Sequence, residues 1–286
     1  MLIQSRRSIF LYACLLIFCA LTQVSGADVP PRDAPGDAVY RALQAIDQAQ
    51  LKIKDFRANI RITRTDNFTE STNKRYGQFL YIPGKRPKFA VHFTLQKLDQ
   101  KRIIKLNHRY IFDSDNLADI NLNAKIFKKT RITPYLPKGK AHLYENPLAA
   151  GKGPFPIPFG QSAKHVLRLF DVQIIHKPSK NDPSKKDFIH LQLKPKKHHR
   201  IKYTQIHFWY DKKTMIPLKA FAIDGDDNPV AVDFSKIAID RGYKAEEVST
   251  ALPKNQKDWC IDVQSNSTLK KSPAKKHRAN KPTSSF

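Results

Sequence analysis

Beyond residue 36, apolar and polar residues alternate first with the period of a helix and then with the period of a strand. From Asp37 to about Lys54 the apolar positions recur every three or four residues, which predicts an amphipathic helix capped by Asp37. Its stripe consists of Val39, Leu43, Ile46, Gln50 and Ile53. From Phe56 to Thr63 every second residue is apolar, which predicts a strand with one buried face. A helix therefore leads into a sheet.

Further strand-like runs follow, separated by turn residues. They lie at about 76–82, 88–96, 102–106, 108–112, 124–132, 171–176, 187–194, 201–211, 216–224, 230–239 and 258–263. An antiparallel sheet of about eleven strands is too large to stay flat, so it curls toward a barrel or splits into a sandwich. Residues 145–170 interrupt the strands with a Pro- and Gly-rich stretch and a short amphipathic helix, whose apolar positions are Val166, Leu167, Leu169 and Phe170.

The N-terminus has the pattern of a secretory signal. Arg6 and Arg7 precede an apolar run, and residues 24–26 supply small side chains for cleavage before Ala27. A membrane anchor is the alternative, but the run is shorter than the roughly 20 residues that span a bilayer. We therefore expect residues 1–26 to be a cleaved signal and residues 27–36 a Pro-rich leader of an exported protein.

Charge and cysteine content add two constraints. Lysine and arginine number 51 against 25 acidic residues, and loss of the two arginines in residues 1–26 lowers the net charge from +26 to +24. This charge favours an anionic partner, such as a membrane surface or a polysaccharide. Cys260 is the one cysteine beyond the signal, so core packing must stabilise the fold without an intrachain disulfide. Residues 264–286 are basic and almost free of large apolar residues, and we expect a disordered tail.

No motif in the sequence indicates catalysis or cofactor binding. GxSxG, HExxH and CxxC motifs are absent, and ten glycines leave little room for a phosphate-binding loop. We therefore expect a protein that is not an enzyme and that uses neither a cofactor nor a metal.

Three weaker patterns have simpler explanations. His198 and His199 lie among lysines, which oppose metal binding. Residues 224–228 resemble the start of a calcium loop, but Pro229 stands where that loop needs glycine, so we expect a hairpin turn. Basic and aromatic residues mix at 202–210, but the aromatic residues alternate as in a strand core, so we expect no nucleic-acid partner.

Two short motifs carry a family resemblance. Residues 75–89 read RYGQFLYIPGKRPKF, a strand with a Gly-aromatic pattern that leads into a Lys-Arg-Pro step, and residues 210–217 read YDKKTMIP. Together with the order of elements, they resemble the LolA-type outer-membrane lipoprotein carriers. Residues 151–170 are similar to the lid of that family's divergent, planctomycete-like members. The resemblance covers roughly residues 37–263, which we expect to form one domain.

The resemblance implies a fold and a function. The fold is α+β: a strongly curved antiparallel sheet, an incomplete β-barrel of about eleven strands, with an N-terminal helix and a short lid helix over its concave face. The function is that of a periplasmic carrier, which binds the acyl chains of lipoprotein or lipid cargo in a hydrophobic cavity and transports them across the envelope. Arg86 matches the family's arginine that couples lid closure to cargo release.

Apolar residues from neighbouring strands and from the lid could line such a cavity. They are Phe56, Ile60, Ile62, Phe79, Tyr81, Phe89, Val91, Phe93, Phe155, Ile157 and Phe159. A chain of roughly fourteen methylenes requires shelter worth on the order of 11 kcal/mol. The same residues could instead form a solid core without a cavity. The protein would then be an exported polyanion- or envelope-binding module that acts through its positive charge.

Overall fold

The segments with alternating apolar and polar residues form strands, and the helical stripe forms a helix that packs on them. The computed structural model describes residues 35–99, 101–132, 150, 155–184, 187–197 and 201–264. The predicted signal, most of the leader, His198, His199 and nearly all of the basic tail lie outside these ranges.

Two α-helices and twelve strands lie within the described ranges. The helices are α1 (Pro35–Lys52) and α2 (Ala163–Leu169). The strands are β1 (Phe56–Asp66), β2 (Ser71–Ile82), β3 (Lys88–Leu98), β4 (Arg102–Phe112), β5 (Asn116–Asn121), β6 (Ile126–Arg131), β7 (Phe170–Ile174), β8 (Phe188–Pro195), β9 (Tyr203–Asp211), β10 (Pro217–Asp224), β11 (Pro229–Ile239) and β12 (Cys260–Gln264). Neither described helix is long and apolar enough to cross a membrane.

All twelve strands belong to one sheet. Strands β1–β6 and β7–β11 form two antiparallel meanders, and β1 pairs with β11 to join them. Strand β12 adds to the edge beside β6 in parallel orientation. The strand order ends at β12 and β7, so the sheet is open, and it is strongly curved. The fold class expected from the sequence is confirmed.

Three local predictions were wrong. Residues 102–106 and 108–112 form the single strand β4, because an irregular register opposite Phe93–Leu95 accommodates the polar Asn107. The short polar strand β5 was missed, since only Ala118 of its residues is fully buried. Asp37 does not cap α1, which begins at Pro35. Proline is favoured at the first helical position, and an acidic residue is favoured in the first turn.

The main core lies on the concave face, the face of the sheet that the helices cover. Along β1 the buried residues Phe56, Ala58, Ile60 and Ile62 point to this face, because successive side chains of a strand point to opposite sides. The apolar stripe of α1 and the buried face of α2 belong to the same hydrophobic cluster. The helices therefore cover the sheet as expected for a lid.

The opposite, convex face is covered in part by the chain between β11 and β12. Buried Asp55 accepts hydrogen bonds from the backbone N–H groups of Arg241 (3.3 Å) and Gly242 (2.8 Å). Arg57 donates two hydrogen bonds to the Glu247 carboxylate (3.0 and 2.9 Å). Val248 then packs against a small apolar cluster on β2. These contacts hold the C-terminal part of the domain against the sheet.

Candidate functional site

The eleven residues predicted to line a cavity lie together on the concave face. None of them is more than 7% exposed, and all belong to the same hydrophobic cluster. The structure therefore brings them together. Their role in lipid binding stays a prediction.

The middle of the concave face is filled by Phe159. Its ring centroid lies 4.7 Å from that of Phe56, 4.6 Å from Tyr81 and 5.5 Å from Phe79. Phe234 of β11 adds an edge contact at 5.8 Å. Phe159 itself is fully buried. At this place the predicted residues form a packed aromatic core rather than the wall of a cavity.

Hydrogen bonds to its neighbours hold the crossing segment, residues 155–161, in this position. The Gln50 side chain of α1 donates to the Pro158 carbonyl (3.0 Å) and accepts from the Gly160 N–H (3.0 Å). The Tyr210 hydroxyl of β9 donates to the same Pro158 carbonyl (3.1 Å). Burial raises the pKa of Tyr210, so its hydroxyl remains a donor. Neither the Gln50 nor the Tyr210 hydrogen bond to this segment was predicted, although Gln50 is a polar residue in an apolar stripe.

Arg86, predicted to act in lid closure, lies on the loop between β2 and β3. It forms an ion pair with Asp115 in the turn between β4 and β5. Arg86 is 66% exposed, and an exposed pair of this kind contributes at most about 1 kcal/mol. Its role in lid closure stays a prediction, whereas Gln50 and Tyr210 form hydrogen bonds to the backbone of residues 158–160.

A cavity of about 340 Å³ remains on the concave face, near the end of β1 and the start of β2. Three of the predicted residues, Ile62, Phe93 and Phe155, form its apolar wall. Its other described lining residues are Arg64, Asn73, Arg75 and Tyr110. The cavity is therefore apolar on one side and carries two cations on the other.

The polar side of the cavity is organised around Arg75 and Tyr110. The Arg75 guanidinium carbon lies 5.9 Å from the centre of the Phe93 ring, within the range of a cation–π contact. Arg75 also lies near the Tyr110 hydroxyl and opposes the rise in the pKa of that group. Burial raises the pKa of Tyr110, and the nearby Asp119 adds to the rise. The phenol therefore stays neutral near pH 7.

A further tyrosine lies close to these groups. Tyr203 of β9 is 1% exposed, and its hydroxyl has no hydrogen-bond partner among the described residues. Burial raises its pKa to about 12, while the positive charge of Arg64 opposes that rise. Buried hydroxyls normally have partners, so this group is a donor that the described residues leave unused.

The described residues offer no site for a metal. They contain no group of three or more His, Cys, Asp or Glu side chains placed to hold an ion. Residues 224–228 form the turn between β10 and β11, as predicted, and Asp224 accepts the backbone N–H groups of Asp226 (3.1 Å) and Asn228 (2.9 Å).

A cluster of titratable residues lies on the convex face, away from the cavity. His190 Nε2 is 2.7 Å from His207 Nδ1, and the His190 ring stacks on Trp209 at 4.2 Å. The Trp209 indole N–H donates to Asp182 (3.0 Å). Burial, and then the neighbouring His207, lower the pKa of His190 to about 4. His190 is therefore neutral in the folded protein at pH 7.

This pKa predicts a loss of stability in mild acid. The unfolded chain takes up a proton at His190 near pH 6.5, whereas the folded protein does so only near pH 4. The contribution of His190 is therefore fully present above pH 6.5 and is lost as the pH falls toward 4. Between pH 7 and 5 the expected loss is on the order of 2 kcal/mol.

Urea unfolding at pH 7 and pH 5 measures this loss. We expect His190→Gln to reduce the pH dependence, because glutamine does not titrate, while His207, whose pKa is also lowered by burial, retains a part of it. The matched control is His176→Gln, since His176 is exposed and should change nothing. An unaltered pH dependence in His190→Gln would contradict the assignment.

Comparisons with known proteins show limited similarity. No protein-family model and no curated protein matches the chain. Among solved structures, an uncharacterized conserved protein from Thermus thermophilus has 8% identity and a TM-score of 0.44, over 80% of this chain and 99% of that one. A LolA superfamily protein from Nitrosomonas europaea has 11% identity and a TM-score of 0.34, over 74% and 97%. The lipoprotein LppX from Mycobacterium tuberculosis has 8% identity and a TM-score of 0.34, over 72% and 97%.

Proposed function

We propose that this protein binds an acyl chain of a lipid or lipoprotein on the concave face of its sheet and carries it across the periplasm. One observation supports this proposal above the others. A cavity with the apolar wall Ile62, Phe93 and Phe155 lies at one end of the packed concave face. Apolar cavities with a few polar groups at one end are the usual form of small-molecule sites.

The size of the cavity fits a single chain. Ligand cavities typically measure about 300–1,000 Å³, and the cavity of about 340 Å³ lies at the lower end of that range. Each methylene that moves from water into an apolar site gains about 0.8 kcal/mol. A few methylenes buried in this cavity therefore give measurable affinity for an acyl chain. A long chain needs more room than the cavity of about 340 Å³ offers.

Movement of the crossing segment supplies that room. Phe159 packs against the aromatic residues Phe56, Phe79 and Tyr81 on the same concave face. The segment is held through the Gln50 and Tyr210 side chains, and each such hydrogen bond contributes about 1 kcal/mol net. If Phe159 swings away, an acyl chain can take its place against the same rings. The remaining predicted residues then line the enlarged cavity.

The proposed cellular role follows from the expected signal over residues 1–26. An exported binding protein with this cavity would accept acylated lipoprotein or lipid cargo at one membrane and release it at the other. This role requires no cofactor and no catalytic step.

Closing the cavity should abolish binding. We expect Ile62→Trp to weaken the binding of a fluorescent fatty acid at least about tenfold, because the indole occupies the space between Phe93 and Phe155. The matched control is Thr63→Trp, since Thr63 is the next residue of β1 and points to the convex face. Equal affinities of the two variants would contradict the proposed site.

Chain length and salt separate the carrier from a polyanion-binding module. For a cavity, affinity should rise about fourfold with each added methylene until the available space is filled. A module that acts through its net charge of +24 should show no such increase, and its binding should collapse in high salt. Displacement titrations with fatty acids of ten, twelve and fourteen carbons, at low and high salt, measure both effects.

A further inference from the structure

The cavity is walled by apolar residues, yet its polar side holds two arginines that chain binding leaves unused. We propose that the cavity selects amphiphiles whose head is an anionic group, a carboxylate or a phosphate, and that Arg75 is the principal residue that binds it. Arg64, which lines the same cavity, provides the second positive charge. This inference rests on the proposed function, because it names the class of ligand for the same cavity.

Arg75 lacks a counter-charge within the part of the chain that the structure describes. It is half-buried, and among the described residues it forms no ion pair with a carboxylate. Near it lie the face of Phe93 and the hydroxyl of Tyr110, both neutral. A guanidinium removed from water is stable only when charged or polar groups compensate it. A planar carboxylate or a phosphate fits its parallel N–H donors, and such charge-assisted pairs are about twice as strong as neutral hydrogen bonds.

The acidic residues nearby do not take this role. Asp119 hydrogen-bonds His108 on the neighbouring strand. Asp224, which is close enough to influence Tyr203, accepts backbone N–H groups of its own turn. The described lining of the cavity contains no carboxylate. The Arg75 guanidinium therefore has no carboxylate partner among the described residues, and an anionic ligand would neutralise its charge.

A neutral donor adds to the charge. The Tyr203 hydroxyl is buried, has no partner among the described residues and lies within electrostatic reach of Arg64. An anionic oxygen near Arg64 could accept this hydrogen bond and satisfy the group. The head would then lie between Arg75 and Arg64, while the chain extends along Ile62 and Phe155 toward Phe159.

Three probes with the same chain and different heads test the inference. Myristate, myristyl phosphate and myristyl alcohol are titrated into the purified full chain below their critical micelle concentrations. We expect myristate or myristyl phosphate to bind at least about tenfold more tightly than the alcohol. The tighter of the two anions identifies whether the head is a carboxylate or a phosphate.

Variants locate the effect. Arg75→Gln should lower the ratio of the affinity for the anion to the affinity for the alcohol about tenfold. The matched control is Lys74→Gln, which removes an equal charge from the adjacent residue of β2 that points to the convex face. The control should retain the preference for the anion over the alcohol. If both variants lost that preference, the effect would come from net charge, and the role of Arg75 would be overturned.

The outcomes distinguish this inference from the proposed function. Equal binding of all three probes by the unaltered protein overturns the selection of an anionic head and leaves the acyl-chain cavity intact. Binding of none of them overturns both. This comparison uses the unaltered chain, so it does not depend on the folding of any variant.

Discussion

Replacement of Gly77 with alanine is expected to destabilise the protein by more than about 4 kcal/mol or to prevent folding. Gly77 lies at the register shift between β2 and β3. A Cβ atom at this position would lie 2.0 Å from the His92 carbonyl oxygen and 2.8 Å from the Phe93 Cα. These are backbone atoms, so rotation of a side chain cannot relieve the clash. Strands β2 and β3 would have to separate, and Phe79 and Phe93 would lose their places in the core.

Urea unfolding with a second glycine variant measures this effect. Gly225 lies in the turn between β10 and β11, where an added Cβ atom would meet nothing within 4 Å and the backbone is not left-handed. Gly225→Ala should therefore change the free energy of unfolding by less than about 1 kcal/mol. If Gly77→Ala unfolded at the same urea concentration as the unaltered chain, the close approach of β2 and β3 would be wrong.

Phe159→Ala should have the next largest effect. It should lower the stability of the protein and raise its affinity for a long fatty acid. Phe159 is fully buried and contacts four aromatic rings, so its truncation should cost about 3–5 kcal/mol of unfolding free energy. Its removal opens space on the concave face, where the acyl chain is proposed to bind. A sixteen-carbon fatty acid should therefore bind more tightly to this variant than to the unaltered protein. Ligand at about 100 times its dissociation constant should restore about 2.7 kcal/mol of stability.

Unfolding with and without palmitate tests both signs. The matched control is Phe221→Ala on β10, because Phe221 is half-buried and contacts His207 on the convex face. This variant should lose less stability and should bind palmitate like the unaltered protein. If Phe159→Ala weakened palmitate binding although the variant remained folded, Phe159 would belong to the binding surface and not to a movable plug.

The course of the sheet could be predicted because its signal is local. Period-two alternation, as in Phe56 to Ile62, follows from one buried face, and turn residues mark the ends of strands. Strand β5 escaped prediction because its burial is set by partners distant in sequence. The C-terminal strand β12 covers β6, and Trp259 packs near Ala118 and Phe127.

The site was predictable in part. Burial of the eleven apolar residues follows from the alternation of apolar and polar positions. Whether the concave face is packed or hollow depends instead on where the crossing segment places Phe159, and no local sequence pattern indicates that position. The arginines had a signal that was overlooked. Arg64 lies on the same side of β1 as Ile62, two residues later and exposed, and Arg75 pairs with Ile62 across the sheet. A cation at the end of an apolar face marks the polar end of a cavity.

The presence of an acyl chain on the concave face can be tested most directly by crystallography with a brominated ligand. Crystals grown with myristate that carries a bromine at its methyl end should show one anomalous peak in the cavity walled by Ile62, Phe93 and Phe155, with the carboxylate at Arg75. A saturated crystal with bromine only on the outer surface, or with none bound, would contradict the proposed carrier function.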